Sequence, residues 1–135
     1  MLNFARPMLS VNLSESCAMF GVDSLGKVCE QYQASGIPLV YLRNGADGTY
    51  LIDSNRIVHV PSVKDAEVVD TTGGGNSSTG GALIGLCRDC SLEEIGAMGN
   101  VSASYIIRQN GVPFVINNTL RNDAREKKKR ILAEL

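Results

Sequence analysis

The stretch VVDTTGGGNSSTGGAL, residues 68–83, decides the fold of this chain. It joins three consecutive glycines, Gly73 to Gly75, to an apolar segment over 82–87 that is typical of a buried helix. Glycine has no Cβ, so the amides of such a turn can point at one spot, where the N-terminus of the following helix adds positive potential. The stretch therefore predicts an anion-binding turn at the start of a helix.

Two other phosphate-binding patterns do not fit this stretch. The Walker-A pattern is absent, because no Gly-Lys-Ser or Gly-Lys-Thr follows the glycines. A dinucleotide-binding turn needs an acidic residue at a strand end about 20 residues further on. Glu93 and Glu94 lie near that distance, but inside a predicted helix. Glycines also form plain tight turns, so a turn without a ligand remains an alternative at this point.

Outside this stretch, N-cap and capping-box patterns predict further helices. They run from Asn12 to Phe20, from Asp23-Ser24 to Gly36, from Ser91 to about Gln109, and over about 119–135. Strands are predicted over 37–43, 49–53, 56–60 and 67–70, and the second and third form a hairpin around Ser54-Asn55. A short apolar segment covers 112–116. On these patterns, two helices precede the first strand.

Composition places the chain among soluble globular proteins. Its 135 residues are 44% hydrophobic and 20% charged, which suits one domain with its own core. The formal net charge is −1, so no overall basic field implies a nucleic-acid partner. Because no apolar run approaches the roughly 20 residues of a membrane span and no signal peptide is recognised, we expect a cytoplasmic protein without a membrane partner.

The four cysteines predict structural thiols. Cys87 and Cys90 form a CxxC pair, but Cys17 and Cys29 are not closely spaced and His59 is the only histidine, which disfavours zinc. A redox pair would open a helix, whereas this pair falls at the end of a helical pattern. We expect reduced thiols that are buried or half-buried. The charge run REKKKR, residues 125–130, is interpreted as a solvated helix face, with contact to phosphate or an acidic surface as the alternative.

The motifs together resemble those of one family. Residues 68–83 resemble the C-terminal signature of the ribokinase-like, or PfkB, carbohydrate kinases, whose usual form is DTTGAGDxFxGAL. SVNLSE, residues 10–15, is similar to their NxxE motif, and LVYLRNGADGTY, residues 39–50, to their VTLGxxG strand and turn. The predicted helix around Asn100 matches their adenine-side helix. Order and spacing agree along residues 9–113.

The resemblance implies an α/β fold, namely the C-terminal portion of a ribokinase-like three-layer αβα core. Residues 1–135 would form a single partial kinase domain with a charged C-terminal helix. Gly73, Gly74 and Gly75 would form the anion hole for the transferring phosphoryl group. The resemblance also implies nucleotide contacts, at Arg43, Gly45, Gly48, Thr72 and Asn100.

The implied cofactors are ATP, Mg²⁺ and a monovalent cation. Asn12 and Glu15 would position Mg²⁺ through water, as hard oxygen ligands suit that ion. The same two residues are a capping box, and both roles can hold together. The monovalent cation would lie near Asp70 and Thr72.

Three features depart from the family pattern. Asn76 stands where the family has its catalytic Asp, and an amide cannot take the proton of a sugar hydroxyl. Arg43 stands at the usual Thr position. Family members are also roughly twice as long, and their first half carries the sugar-binding residues and the lid. A sugar would therefore bind only with a complementary half, and the lost strands would leave an exposed sheet edge for a homo- or hetero-oligomer.

Three functional hypotheses follow. The first is a carbohydrate kinase homologue that is represented by its nucleotide-binding half, with this chain alone inactive or weak. The second is a non-catalytic nucleotide-binding pseudokinase or fragment, which Asn76 favours. The third is a structural or interaction domain without a ligand. The acceptor alcohol is left open, because the residues that would select it are absent.

Overall fold

The computed structural model describes residues 7–64, 66–111, 113 and 115–135. The strands are β1 (Met8–Asn12), β2 (Leu39–Arg43), β3 (Thr49–Ile52) and β4 (Ile57–Val60). The helices are α1 (Leu13–Phe20), α2 (Leu25–Ala34), α3 (Gly74–Cys87), α4 (Leu92–Ile106) and α5 (Asn118–Ala133). A short 3₁₀ turn (Gly45–Asp47) connects β2 to β3.

The strands form one sheet in the order β1-β2-β3-β4. β1 and β2 are parallel, and β2, β3 and β4 are successive antiparallel neighbours. Arg43, the last residue of β2, is in register with Asn12 on β1 and with Thr49 on β3. Three polar residues therefore lie side by side where the two parallel strands end.

Helices cover both faces of the sheet, because alternate residues of a strand point to opposite faces. Val40 and Leu42 belong to an apolar cluster with residues of α1 and α2, including the fully buried Val28. Leu39 and Tyr41 belong to a second cluster with residues of α3, α4 and α5. The predicted three-layer αβα class is confirmed.

Small residues allow α3 and α4 to pack closely. A Cβ built at Gly81 would lie 2.6 Å from the Met98 carbonyl oxygen, and one built at Gly99 would lie 2.8 Å from the Ser78 carbonyl oxygen. Such distances are shorter than real Cβ contacts, so larger residues would separate the two helices. The close contact fixes the start of α3 relative to α4.

Two sequence-based strand predictions were wrong. The first strand is β1, which precedes both α1 and α2 and was missed because Met8–Asn12 is short and lies beside the Asn12 cap. The strand predicted over 67–70 is not formed. There the amides of Val69 and Asp70 both donate to the carbonyl of Ile107, at 2.7 and 3.1 Å, so the segment joins the end of α4 instead of the sheet.

The remaining boundaries agree closely with expectation. The Asn12 side chain caps α1 by accepting from the Glu15 amide at 2.8 Å, but the second bond of the predicted capping box, from the Asn12 amide to the Glu15 side chain, is not among those of the described residues. Ser91 and Glu94 form the full capping box of α4. α4 ends at Ile106, a few residues before the predicted Gln109. The apolar segment predicted over 112–116 lies partly outside the described residues.

Helix α5 carries the charge run of residues 125–130, and part of that run contacts the domain. Lys128 pairs with Glu94 on α4 at 3.4 Å, and Tyr105 on α4 donates a hydrogen bond to Asp123 at 2.5 Å. The solvated-face interpretation therefore holds for most of the run, since only Lys127 and Lys128 are half-buried and the other four residues are exposed. Within the part of the chain that the structure describes, no helix has the length and apolar character to cross a membrane.

The four cysteines are free thiols in different environments. Cys29 is buried, and burial raises the pKa of its thiol. Cys17 and Cys90 are half-buried. Cys87 is exposed, which corrects the expectation that all four thiols would be at least half-buried. Its position explains the difference, since it is the last residue of α3 and lies on the same helix face as Leu83 and Ile84, which are also exposed.

Candidate functional site

A cleft of about 660 Å³ opens where β2 ends, between the β2–β3 connection and the helices α3 and α4. The structure brings many of the predicted site residues together in its wall, namely Asn12, Arg43, Gly45, Gly48, Gly74, Gly75 and Asn100. Gly73, Thr72, Asn76 and Glu15 lie outside this wall. This is the carboxyl edge of the parallel strands, where ligands of open α/β sheets bind.

The glycine turn forms the start of α3, as the sequence predicts. Gly73 is the N-cap with a positive φ of 81°, and its carbonyl accepts from the Ser77 amide at 2.9 Å. Gly74 and Gly75 form the first turn of the helix and line the cleft. The Gly74 amide donates to the Thr71 carbonyl at 3.1 Å. The other first-turn amides have no partner within their own helix, so this end of α3 presents donors and positive potential to an anion.

The residues before the glycine turn are held by their own hydrogen bonds. The Asp70 carboxylate accepts from the Thr72 amide at 2.9 Å, and this bond lowers the pKa of Asp70. Thr72 itself is exposed. The monovalent cation expected near these two residues stays a prediction.

Arg43 extends from the end of β2 to the start of α3. A Cβ built at Gly75 would overlap Nη1 of Arg43, so the guanidinium lies directly against the first turn of the helix. Its Nε is buried and has no hydrogen-bond partner among the described residues. None of the ion pairs between described residues includes Arg43.

Thr49 is the register partner of Arg43 and also lines the cleft. It is 2% exposed. Its hydroxyl lies near that of Tyr41, whose pKa is raised by burial and lowered in part by the Ser78 and Thr49 hydroxyls. The Thr49 hydroxyl nevertheless has no partner at hydrogen-bond geometry among the described residues, whereas Tyr41 pairs with Ser78.

Consecutive hydroxyl residues connect the first turns of α3 to separate elements. Ser78 pairs with Tyr41 on β2 at 2.6 Å. Ser77 pairs with Ser102 on α4 at 2.7 Å, and Thr79 pairs with Ser10 on β1 at 2.7 Å. These bonds hold the glycine turn in a fixed place relative to the strand ends.

The β2–β3 connection forms the opposite wall of the cleft. Gly48 has a φ of 107°, and a Cβ there would lie 2.8 Å from the Pro61 carbonyl carbon, so this position requires glycine. The Asp47 carboxylate accepts from the hydroxyl of Tyr50 at 2.7 Å and from the side-chain amide of Asn44 at 2.9 Å. These bonds, the one from Tyr50 above all, lower the pKa of Asp47.

Asn100 supports the cleft from α4. Its side-chain amide donates to the carbonyls of Val60 and Pro61, at 2.9 and 2.8 Å, and the residue is 7% exposed. Both amide hydrogens are therefore used to hold the end of β4. The side-chain oxygen is the group that remains for a ligand.

The predicted magnesium residues are arranged as a helix cap. The Asn12 side-chain oxygen accepts from the Glu15 amide and from the Ser14 hydroxyl, at 2.8 and 2.9 Å, and Glu15 is exposed. No Asp or Glu is among the described residues that line the cleft. This donor set does not fit a directly coordinated Mg²⁺, which prefers carboxylate oxygens. A contact through water, as predicted for Asn12 and Glu15, is not tested by this geometry.

The cleft also contains polar residues that the sequence analysis did not single out. They are Thr49, Ser62, Lys64, Thr71, Ser78 and Ser104. Ser78 could have been noticed, because it stands at the Phe position of the quoted family signature. Thr49 follows Gly48 directly, but its buried and unpartnered hydroxyl depends on strand register, which the sequence does not reveal.

Comparison with known proteins identifies the family. Residues 8–118 match the model of the pfkB family carbohydrate kinases. The chain belongs to this family, as its motifs indicate. It is also 36% identical, over 76 residues, to an uncharacterized sugar kinase of Archaeoglobus fulgidus, a match that covers 56% of this chain and 30% of that protein.

Solved structures agree with the family. The adenosine kinase of Sinorhizobium meliloti superposes with a TM-score of 0.78 at 28% identity, over 88% of this chain and 36% of that one. A ribokinase of Thermotoga maritima superposes with a TM-score of 0.71 at 25% identity, over 93% of this chain and 42% of that one. The ribokinase-like fold is thus confirmed, and the chain spans less than half the length of each of these proteins.

Proposed function

We propose that this chain supplies the nucleotide-binding half of an ATP-dependent kinase that phosphorylates a sugar or a related alcohol. The observation that carries the proposal is the glycine turn Gly73–Gly75 at the start of α3, beside a cleft at the carboxyl edge of the sheet. The chain's membership of the pfkB family supports the reaction class.

In this proposal the residues of the cleft bind and orient the nucleotide. The first-turn amides of α3 stabilise negative charge on the transferring phosphoryl group, which is the largest contribution a protein makes to this reaction. Gly45 and Gly48 leave room for the nucleotide along the β2–β3 connection. Asn100 offers its side-chain oxygen to the adenine or ribose, and Thr72 contacts the nucleotide from the rim.

The reaction moves one phosphoryl group. The hydroxyl oxygen of the acceptor forms a bond to the γ-phosphorus, the bond from that phosphorus to the bridging oxygen breaks, and ADP leaves. The hydroxyl proton needs a base, which in the family is the Asp after the glycine turn. Asn76 occupies that position, is exposed on α3, and cannot accept the proton. Catalysis by this chain is therefore expected to be weak, while binding is retained.

The accompanying ions and the acceptor belong to the same proposal. Magnesium would enter with the nucleotide, with Asn12 and Glu15 acting through water, and a monovalent cation would lie near Asp70. The sugar would bind only with a complementary half, because the relatives are longer than this chain. The family suggests a cytoplasmic enzyme, and the β1 edge would be available for a homo- or hetero-oligomer.

A pseudokinase is the second candidate, and Asn76 is the observation that favours it. Such a protein would bind nucleotide in the same cleft without transferring phosphate. Both candidates share the binding step, so binding is tested first and turnover second.

The test is a thermal melt of the purified chain with and without Mg²⁺-ATP and Mg²⁺-ADP. A ligand at about 100 times its Kd adds about 2.7 kcal/mol to the native state, so we expect a clear rise in melting temperature. Mg²⁺ alone and Mg²⁺ with adenosine are the controls. A cooperative melt that nucleotide leaves unchanged would contradict both candidates and favour a domain without a ligand.

A further inference from the structure

Two neighbouring residues of the cleft wall each have a buried polar atom without a partner. They are Nε of Arg43 and Oγ1 of Thr49, and among the described residues they are the buried side-chain polar atoms that have no hydrogen bond. The two residues are register partners on β2 and β3. A buried donor without an acceptor is costly, so two of them on neighbouring residues indicate that something else satisfies them.

The charge of Arg43 adds a second indication. Its guanidinium lies against the first turn of α3, which is the positive end of the helix, and a cation is unfavourable there. The only charged residues among the described ones that line the cleft are Arg43 and Lys64, both positive. Lys64 has a carboxylate partner, Glu134 at 3.0 Å, whereas Arg43 has none among the described ion pairs. An anion in the cleft would resolve this unfavourable arrangement.

We infer that Arg43 and Thr49 form a clamp that holds a nucleotide phosphate at the start of α3, so that nucleotide binding does not require the Mg²⁺ that accompanies it. The guanidinium supplies charge and Nε–H, the Thr49 hydroxyl supplies another donor, and the α3 amides supply the rest. A phosphate has enough acceptor oxygens for all of them. The inference rests on the proposed nucleotide-binding function, and it specifies how this chain differs from the Thr-containing family pattern at residue 43.

The experiment measures ADP binding by isothermal titration calorimetry, once with Mg²⁺ and once with excess EDTA. The variants are Arg43→Thr, Arg43→Lys and Thr49→Val. Arg121→Thr, on the exposed surface of α5, is the matched control, because it removes the same charge away from the cleft. Circular dichroism and melting temperature verify that each variant folds.

The clamp predicts that wild-type protein and Arg121→Thr still bind ADP in EDTA. Arg43→Thr should bind at least about tenfold more weakly in EDTA, since it loses charge-assisted hydrogen bonds. The ADP affinity of Arg43→Lys in EDTA should lie between those of the wild type and Arg43→Thr, because lysine keeps the charge but not the planar donors.

Thr49→Val separates a binding role from a structural one. Removing an unpartnered buried hydroxyl should raise the melting temperature of the free protein, while ADP binding in EDTA weakens by about threefold or more. A residue that only supported the fold would not move these two measurements in opposite directions.

Two results would overturn the clamp. One is equal ADP affinity of wild type and Arg43→Thr in EDTA, and the other is a wild-type protein that binds ADP only with Mg²⁺. In either case binding with Mg²⁺ would leave the proposed function standing. If the wild type bound no nucleotide under either condition, the proposed function itself would fail.

Discussion

The hydroxyls of Tyr41 on β2 and Ser78 on α3 lie 2.6 Å apart in the interior, and their hydrogen bond joins the sheet to the helix that begins at the glycine turn. Tyr41 is fully buried, and burial raises the pKa of its hydroxyl, so it stays neutral and available as a donor. Among the bonds that fix the glycine turn, this neutral pair is the one that joins α3 directly to β2.

Replacing Tyr41 with Phe tests this pair. Tyr41→Phe leaves the Ser78 hydroxyl buried without its partner, so we expect the free energy of unfolding to fall by about 1–3 kcal/mol in a urea titration. The double variant Tyr41→Phe/Ser78→Ala removes both polar groups and should recover part of the loss. Equal stability of wild type and Tyr41→Phe would contradict a supporting role for the bond.

Gly75 and Arg43 are expected to be energetically coupled. Alanine in a helix is more stable than glycine by roughly 0.5–1 kcal/mol, so Gly75→Ala should gain that amount in an Arg43→Thr background. With Arg43 present, the new Cβ would displace the guanidinium, and the gain should be smaller by at least about 0.5 kcal/mol. A double-mutant cycle from urea unfolding measures the coupling, and additive values would contradict the contact.

The α4–α5 contact should make stability depend on acid through Asp123. The hydrogen bond from Tyr105, followed by that from Lys127, lowers the pKa of Asp123. A carboxyl group with a lowered folded pKa contributes stability above its usual pKa of about 3.9, and this contribution is lost as pH falls through the lowered value. When the pH is lowered from about 6 to about 2, the melting temperature of Asp123→Asn should therefore fall less than that of the wild type.

The control for that comparison is Asp89→Asn, since Asp89 is exposed between α3 and α4. It should follow the wild-type curve. If Asp123→Asn and wild type also show parallel curves, the ionised carboxylate does not help to hold α5 on α4.

The substitution Asn76→Asp tests whether the missing general base accounts for the weak catalysis that we expect. In a chimera, the chain would replace the matching part of the Sinorhizobium meliloti adenosine kinase, and phosphorylation of adenosine would be measured. A positioned general base contributes about 10²–10⁴ in rate, so turnover should rise by a factor in that range. Asn76→Ala is the matched control and should give no rise. Equal turnover of the chimera with and without the Asn76→Asp substitution would mean that another group takes the proton.

The helices and the hairpin could be predicted because their signals are local. The caps at Asn12 and Ser91 fix where α1 and α4 begin, and the structure shows both caps. β1 was missed because a strand at the edge of a sheet is defined by its neighbour, here β2, and not by its own pattern. The strand predicted over 67–70 was wrong for a similar reason. The amides of this segment bond to the Ile107 carbonyl instead of a neighbouring strand, and the local pattern does not reveal that partner.

For the site, glycines could be placed from the sequence, but their surroundings could not. Gly74 and Gly75 could be placed at the start of a helix because they come shortly before its apolar segment, and both line the cleft. The contact of Arg43 with Gly75 joins residues far apart in the chain, so only the packed structure reveals it. The packed structure alone also reveals the contact of Asn100, whose side-chain amide donates to the Val60 carbonyl at the end of β4.

The carbonyl of Ile107 accepts hydrogen bonds from both Val69 and Asp70, and these residues lead directly into the glycine turn. The turn is thus attached at its entrance to the end of α4, and at its exit it continues as α3. For protein engineering, an insertion at the Ser54-Asn55 hairpin should be absorbed at the surface, as exposed turns usually allow. A residue added near the end of α4 would instead pull the turn out of line with the strand ends.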